Sequence, residues 1–320
     1  MSRKLLGRAL SRPGRVYDRG PPRAEVGWDA TWLGTGQALT RLASGLREIG
    51  FATTVTTTPK VALFIPCFVD QLVPQVGRAM AEVLERVGCQ IDFPEKQTCC
   101  GQAPFSTGYW EDALPLARRF VSIFSAAEAV VCPSGSCTAM VRRFYPELAQ
   151  GDAGLREELS GIGSVVFEFS EFLVRRLGIT DVGASFPHRV AFHDACHLLR
   201  ELDVHEEPRQ LLRAVRGLEL VDMAEQTECC GFGGGFSVMM GHISGALGKR
   251  KAENIEAASV DYVAACDPSC LMQIGGVLSR RGSRALQMHC RGHNVVGRFV
   301  AKLDDEFAQV SFDSFDAGGF

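Results

Sequence analysis

Residues 61–70 read VALFIPCFVD, and residues 189–199 read RVAFHDACHLL; the second stretch repeats the first about 129 positions later. The repeat continues outward. RAMAEVLERVGCQIDFPEKQTCCG (78–101) recurs as RQLLRAVRGLELVDMAEQTECCG (209–231), and AVVCPSGSC (129–137) recurs as YVAACDPSC (262–270). Cys67, the Cys99–Cys100 pair and Cys137 thus return as Cys196, Cys229–Cys230 and Cys270, at nearly constant offsets. The internal duplication sets both the domain organisation and the search for a site.

Each copy alternates short apolar runs with segments of helical period. Val61–Ile65 is a continuous apolar run, as a strand buried on both faces requires. Gln75–Val87 places Val76, Met80, Val83, Leu84 and Val87 on one face and ends at Gly88, which predicts a helix. Strands follow at Cys89–Phe93, Ala129–Cys132 and Val165–Phe167, with a helix at Ala113–Phe124. The second copy repeats this with strands at Arg189–Phe192, Leu218–Val221, Tyr262–Ala265 and Ala285–Met288, and helices at Pro208–Val215 and Gly241–Ala258. Strands alternating with helices predict right-handed crossovers and parallel sheets. The expected fold class is α/β, in two pseudo-symmetric halves over 61–185 and 186–303, each a small parallel sheet flanked by helices.

The flanks read differently. Residues 1–60 carry ten Lys and Arg against four Asp and Glu, with Pro13, Pro21 and Pro22 breaking any period. They predict a poorly ordered basic extension, with a short helix at Gln37–Ile49. Residues 304–320 predict an acidic, solvated tail. The net charge of the whole chain is −3, but residues 61–320 carry 24 basic against 33 acidic side chains, which gives no electrostatic footprint for nucleic acid. No apolar run approaches the length of a bilayer-spanning helix, leaving at most peripheral membrane contact. No signal-peptide pattern follows the basic start, so the expected compartment is the reducing cytoplasm.

There, twelve cysteines in 320 residues point to metal or redox chemistry rather than to a disulfide scaffold. The parallel topology places Cys67, Cys137, Cys196 and Cys270 just past the carboxyl ends of strands, and the Cys-Cys-Gly segments a few residues past others, where open α/β sheets build ligand sites. Two adjacent thiols on a turn suit different irons of one cluster better than a single tetrahedral zinc. Cys67, Cys99, Cys100 and Cys137, and again Cys196, Cys229, Cys230 and Cys270, supply the four ligands of a [4Fe–4S] cluster, one or two per chain. Cys89 and Cys290 read as buried packing, as do Met239, Met240 and the aromatic side chains. The glycines of 231–235 read as close backbone approach to a cluster; no Lys-Ser/Thr follows them, as a phosphate loop would need. His193 and His197 flank Cys196, either as cluster ligands, proton carriers or contacts to a bound hydroxy acid, or as hydrogen-bond partners of the cluster or backbone.

The pattern Cys67-x₃₁-Cys99-Cys100-Gly101 with Cys137, and Cys196-x₃₂-Cys229-Cys230-Gly231 with Cys270, resembles the tandem cysteine-rich (CCG) domains of iron–sulfur oxidoreductase subunits. Those include the B subunit of heterodisulfide reductase and the iron–sulfur subunits of glycolate oxidase and anaerobic glycerol-3-phosphate dehydrogenase. Within that superfamily VGRAMAEVLERVGCQIDFPE (76–95), QTCCGQAPFSTGY (97–109), PSGSC (133–137), CCGFGGGFSVMM (229–240) and CLMQIGG (270–276) are similar to the lactate utilization protein A group. The resemblance covers about residues 60–303. It implies an electron-transfer subunit working with a second iron–sulfur protein and a third small subunit in oxidation of L-lactate to pyruvate. Heterodisulfide reductase relatives end each motif in C-x-x-C, whereas Ser134 and Asp267 stand at the first of those positions here. Cys132 and Cys266, just before them, are the candidates for a fifth ligand or else buried strand-end packing, and Asp267 is either a ligand or a solvent-facing or helix-capping residue before Pro268. A zinc-stabilised scaffold or interaction protein, and a thiol–disulfide or heterodisulfide-type reductase, are the other uses of the same thiols.

Overall fold

The computed structural model describes residues 58–283. The extension up to residue 57, the helix expected at Gln37–Ile49, the strand expected at Ala285–Met288, Cys290 and the tail over 304–320 lie outside the described residues.

The first half runs β1 (Lys60–Leu63), α1 (Cys67–Leu72), α2 (Pro74–Arg86), β2 (Gln90–Asp92), α3 (Gln102–Ser106), α4 (Trp110–Phe124), β3 (Val130–Cys132), α5 (Gly135–Ala139), α6 (Ala153–Gly163), β4 (Val166–Glu168) and α7 (Phe169–Glu171). Wider π turns extend α5 over Met140–Phe144 and α7 over Phe172–Arg176. The second half runs β5 (Arg189–Phe192), α8 (Cys196–Leu202), α9 (Glu206–Arg213), β6 (Glu219–Val221), α10 (Gly235–Met239), α11 (Gly241–Ala257), β7 (Tyr262–Ala264) and α12 (Pro268–Arg280). Every strand expected within the described residues forms, with bounds within one or two residues of the apolar runs.

Both sheets are parallel. The first has strand order β2-β1-β3-β4 and the second β6-β5-β7, so the first three strands of each half occupy the same places. The registers agree as well: Val61 faces Ile91 and Ala62 faces Val130, while Val190 faces Leu220 and Ala191 faces Val263. Strand β1 shows why its run is apolar throughout. Val61 and Leu63 pack into one cluster with Met80, Leu84 and Phe172, and Ala62 and Phe64 into another with Phe120, Phe124 and Tyr145. Period-2 alternation between two buried faces leaves no polar position on such a strand.

The halves meet along α5 and α8. The Gly135 amide donates to the Cys266 carbonyl (2.9 Å), and a Cβ on Gly135 would stand 3.0 Å from Leu198 Cβ, so a side chain here would force the two helices apart. Among the described residues no helix is long and apolar enough to cross a membrane.

Candidate metal centres

In the first half, Cys67 opens α1 directly after β1, Cys99–Cys100 follow β2, and Cys137 lies in the first turn of α5 after β3. Three loops at the carboxyl edge of one sheet therefore deliver four thiols. They lie in series, each thiol interacting with the next, Cys67 with Cys99, Cys99 with Cys100 and Cys100 with Cys137. The Gly101 amide also donates to Cys99 Sγ (3.4 Å). Hydrogen bonds from Cys100 and Cys67 push the Cys99 thiol down to about 3, against the opposing effect of burial. Those same contacts and burial push Cys67 and Cys100 up. The negative charge thus settles on the middle of the series.

The second half builds the same object. Cys196 opens α8 after β5, Cys229–Cys230 follow β6, and Cys270 lies in the first turn of α12 after β7. The series runs Cys196, Cys229, Cys230, Cys270. Hydrogen bonds with Cys196 and Cys230 push Cys229 down to about 2, and the Cys196 and Cys230 thiols rise. The Gly231 amide donates to Cys229 Sγ (3.3 Å) and the Phe232 amide to Cys230 Sγ (3.5 Å). Gly231 has φ +90°, and a Cβ there would lie 2.5 Å from the Ser244 carbonyl, so the turn that presents these amides tolerates only glycine. Four soft donors, one already favoured as thiolate, with amide donors on sulfur, fit an iron–sulfur cluster or a thiolate-bound zinc.

The other expected residues sort differently. Cys132 is buried and its thiol donates to the Ser134 carbonyl (3.6 Å), while buried Cys266 lies 3.9 Å from Ser170 Oγ. Ser134 and Asp267, at the positions of the missing thiols, are both helix N-caps: Ser134 Oγ accepts from the Cys137 amide, and Asp267 Oδ1 accepts from the Ser269 amide (3.1 Å) and hydroxyl (2.6 Å). Asp267 is buried rather than solvent-facing, and its second oxygen accepts from the Ser136 amide of the other half (2.9 Å). Cys89 packs in the core, where burial pushes its thiol up to about 11. Met239 and Met240 correct the core assignment: they are 62% and 52% exposed, at the end of α10, because that helix is one short turn with no buried residue.

His197 Nδ1 stands 3.7 Å from Cys196 Sγ. His193 is fully buried beside the Gln226 backbone, and neither ring nitrogen makes a hydrogen bond of normal geometry. Its ligand nitrogen, Cys230 Sγ and Cys270 Sγ all lie within 4.8 Å of one another. Burial, and then the nearby Lys251 ammonium, push His193 down to about 4.

Two charged features escape a reading by motif. Lys251 is buried on α11, donates to the Glu225 carbonyl (2.5 Å) and lends positive potential to Cys230 and Cys270. Its signal is positional: Ser244, Gly248, Lys251, Ala252 and Ile255 form the buried stripe of the helix. Arg209 grips Asp194 with two hydrogen bonds (2.8 and 2.7 Å) and stacks 4.9 Å over the Phe192 ring, pinning the loop that carries His193 to Cys196.

The CCG cysteine-rich domain family matches this chain twice, over residues 61–142 and 190–275. Curated relatives align over 230 residues, or 72% of this chain. Lactate utilization protein A of Geobacillus thermodenitrificans is 45% identical and 96% covered, that of Geobacillus kaustophilus is 43% identical and 96% covered, and that of Bacillus subtilis is 41% identical and 96% covered. Two CCG domains carrying two four-thiol series, aligned with nearly the whole length of these relatives, place the chain in the Lactate utilization protein A family.

Proposed function

We propose that this chain is the cytoplasmic iron–sulfur electron-transfer subunit of an oxidoreductase complex that converts L-lactate to pyruvate. The observation that carries the reading is the series of four neighbouring thiols, built twice at equivalent sheet edges. A [4Fe–4S] group bound at either series supplies a one-electron acceptor and donor. Lactate oxidation releases two electrons, and two such sites in one chain match that number. The protein's part is to hold the group by Cys67, Cys99, Cys100 and Cys137 in the first half and by Cys196, Cys229, Cys230 and Cys270 in the second. The amides of Gly101, Gly231 and Phe232 place positive dipoles on the sulfurs, which favours the reduced state.

The seam between the halves supports passage from one site to the other. Ser136, next to Cys137, is hydrogen-bonded to Asp267, three residues before Cys270. A route of a few bonds and one hydrogen bond therefore links a ligand of one site to a ligand of the other. A second iron–sulfur protein and a third small subunit complete the complex. Val238, Met239, Met240 and Ile243 expose apolar side chains in one stretch beside the second site and suit such a partner.

Iron, acid-labile sulfide and zinc per chain, measured on protein purified without oxygen, test the reading. About eight irons and eight sulfides are expected for two [4Fe–4S] sites. Cys99→Ser should remove about half of the cluster signal and, combined with Cys229→Ser, stop growth on L-lactate. Stoichiometric zinc without sulfide, or normal lactate growth with both cysteines changed, would overturn it.

A further inference from the structure

His193 and Phe64 occupy the same place in the two halves, each three residues before the first thiol of its series. Phe64 fills that place with hydrocarbon and meets Phe120 and Phe124 edge-on at 4.9 and 5.8 Å. The position therefore accepts a ring with no polar atom. In the second half the ring carries two nitrogens, fully buried, and neither makes a hydrogen bond of normal geometry, although the Gln226 backbone lies beside the ring. A buried polar group left unpaired is destabilising, and folded proteins rarely tolerate one without a reason. The reason offered by the surroundings is a metal. The imidazole, Cys230 Sγ and Cys270 Sγ converge within 4.8 Å, and imidazole and thiolate are the two commonest donors for zinc and for iron in mixed sites.

We infer that His193 is a direct metal ligand in the second half, so that this chain holds one all-thiolate centre and one mixed imidazole–thiolate centre. The inference rests on the reading that the thiols bind a metal centre, and does not depend on whether that metal is iron or zinc. His193 donates beside Cys230 and Cys270, while Cys196 stands 3.7 Å from His197 Nδ1. The second site then has five donors where the first has four. The imidazole adds no charge to the four thiolates, and Lys251 adds positive potential beside the same two cysteines. That positive charge raises the reduction potential of the second centre above that of the first, which directs electrons from the first half to the second.

The test uses the full chain, reconstituted without oxygen with ferrous iron and sulfide and carrying ¹⁵N-labelled histidine. Electron–nuclear double resonance on the reduced protein should show one directly bonded ¹⁵N. That coupling should vanish in His193→Phe and persist in His197→Phe, with the sulfide content of His193→Phe retained by the four thiols. Because the wild-type spectrum alone shows whether nitrogen is bound, a variant that fails to fold leaves the test intact. Iron bound with no directly bonded nitrogen, or a coupling that survives His193→Phe, overturns the inference and leaves the proposed function standing. If the purified chain holds zinc without sulfide, the proposed function falls. The inference then stands if zinc X-ray absorption shows a nitrogen shell at about 2.0 Å that His193→Phe removes, and falls if it shows sulfur alone. A chain that binds neither metal overturns both.

Discussion

Around the same four-thiol frame the two halves place opposite surroundings. Beside the first series lie Phe64, Phe120, Phe124 and Tyr145, whose hydroxyl donates to the Cys100 carbonyl (2.9 Å). Beside the second lie His193, Asp194 paired with Arg209, and Lys251. The described residues of the first half include no buried cation or imidazole. Even the loops that carry the first thiol are held differently. Ile65 is tied by its amide to the Gln97 side chain (2.6 Å), which also donates to the Leu63 and Pro94 carbonyls, whereas Asp194 at the matching position is clamped by a guanidinium. Duplication copied the backbone and the thiols, and the surroundings then diverged in charge. Since burial and nearby charge set the potential of a thiolate-bound centre, two such sites are expected to differ in affinity and potential while sharing their geometry.

The largest expected break between them concerns loss of the first thiol. Cys67→Ser leaves three donors in the first half with no nitrogen to replace the fourth. Cys196→Ser leaves Cys229, Cys230, Cys270 and His193, still four. Purified anaerobically, Cys67→Ser should lose about half of the iron and sulfide, and Cys196→Ser well under a quarter. Equal losses would mean that the fifth donor makes no difference to retention.

Next in size are the clamps on the two loops. Arg209→Ala strands the buried Asp194 carboxylate, and breaking a buried, bidentate pair from one side costs about 3 kcal/mol or more. Gln97→Ala removes three neutral hydrogen bonds in a half-buried place, at a cost of about 1–2 kcal/mol. Thermal melts of the loaded protein should rank the two in that order. The iron signal lost should be that of the second half for Arg209→Ala and that of the first for Gln97→Ala.

What a reader of the sequence recovers follows the range of the interactions. Strands β1, β3, β5 and β7 were legible because a strand buried on both faces leaves an unbroken apolar run, the half-exposed edge strands β2 and β6 because each follows a helical stretch in its copy of the repeat, and the eight thiols because the repeat aligned them. Helices α1 and α8 were not, since six or seven residues are too few to display a period. Helix α12 carried a readable start in Asp267-Pro268, an N-cap followed by proline, and the capping role of Asp267 was anticipated from it. Its bond to Ser136 was not, because no local pattern reports a partner 131 residues away. Lys251 sat in plain view on a helical stripe, but a lysine among small residues reads as surface until its neighbours are known. The exposed Met239 and Met240 show the converse: without a period, composition alone misplaces them.

A pH-dependent effect tests whether the halves, so different around their thiols, still unfold as one. Glu168 ends β4 of the first half, buried, where it caps α7 by accepting from the Ser170 (2.8 Å) and Glu171 (3.2 Å) amides. Ser170 in turn touches Cys266 of the second half, so the carboxyl sits on the seam. Burial raises its pKa from 4.5 to about 7, although the bonds from Ser170 and Glu171 oppose the shift. A carboxyl that holds its proton more tightly when folded contributes stability below its unfolded pKa, and that contribution is lost as pH rises through the folded one. Between pH 5 and pH 8 the wild type should therefore lose about 2 kcal/mol relative to Glu168→Gln, which keeps an acceptor oxygen for the cap but no titrating proton. Thermal midpoints of the two proteins across that range measure the difference, and parallel profiles would place the proton elsewhere. Followed through the two iron signals rather than through bulk unfolding, the same melts decide the coupling. If both signals disappear together at every pH, the contact between Ser170 and Cys266 joins the halves into one cooperative unit. If the first fails before the second as pH rises, each sheet stands on its own core and the seam serves transfer rather than stability.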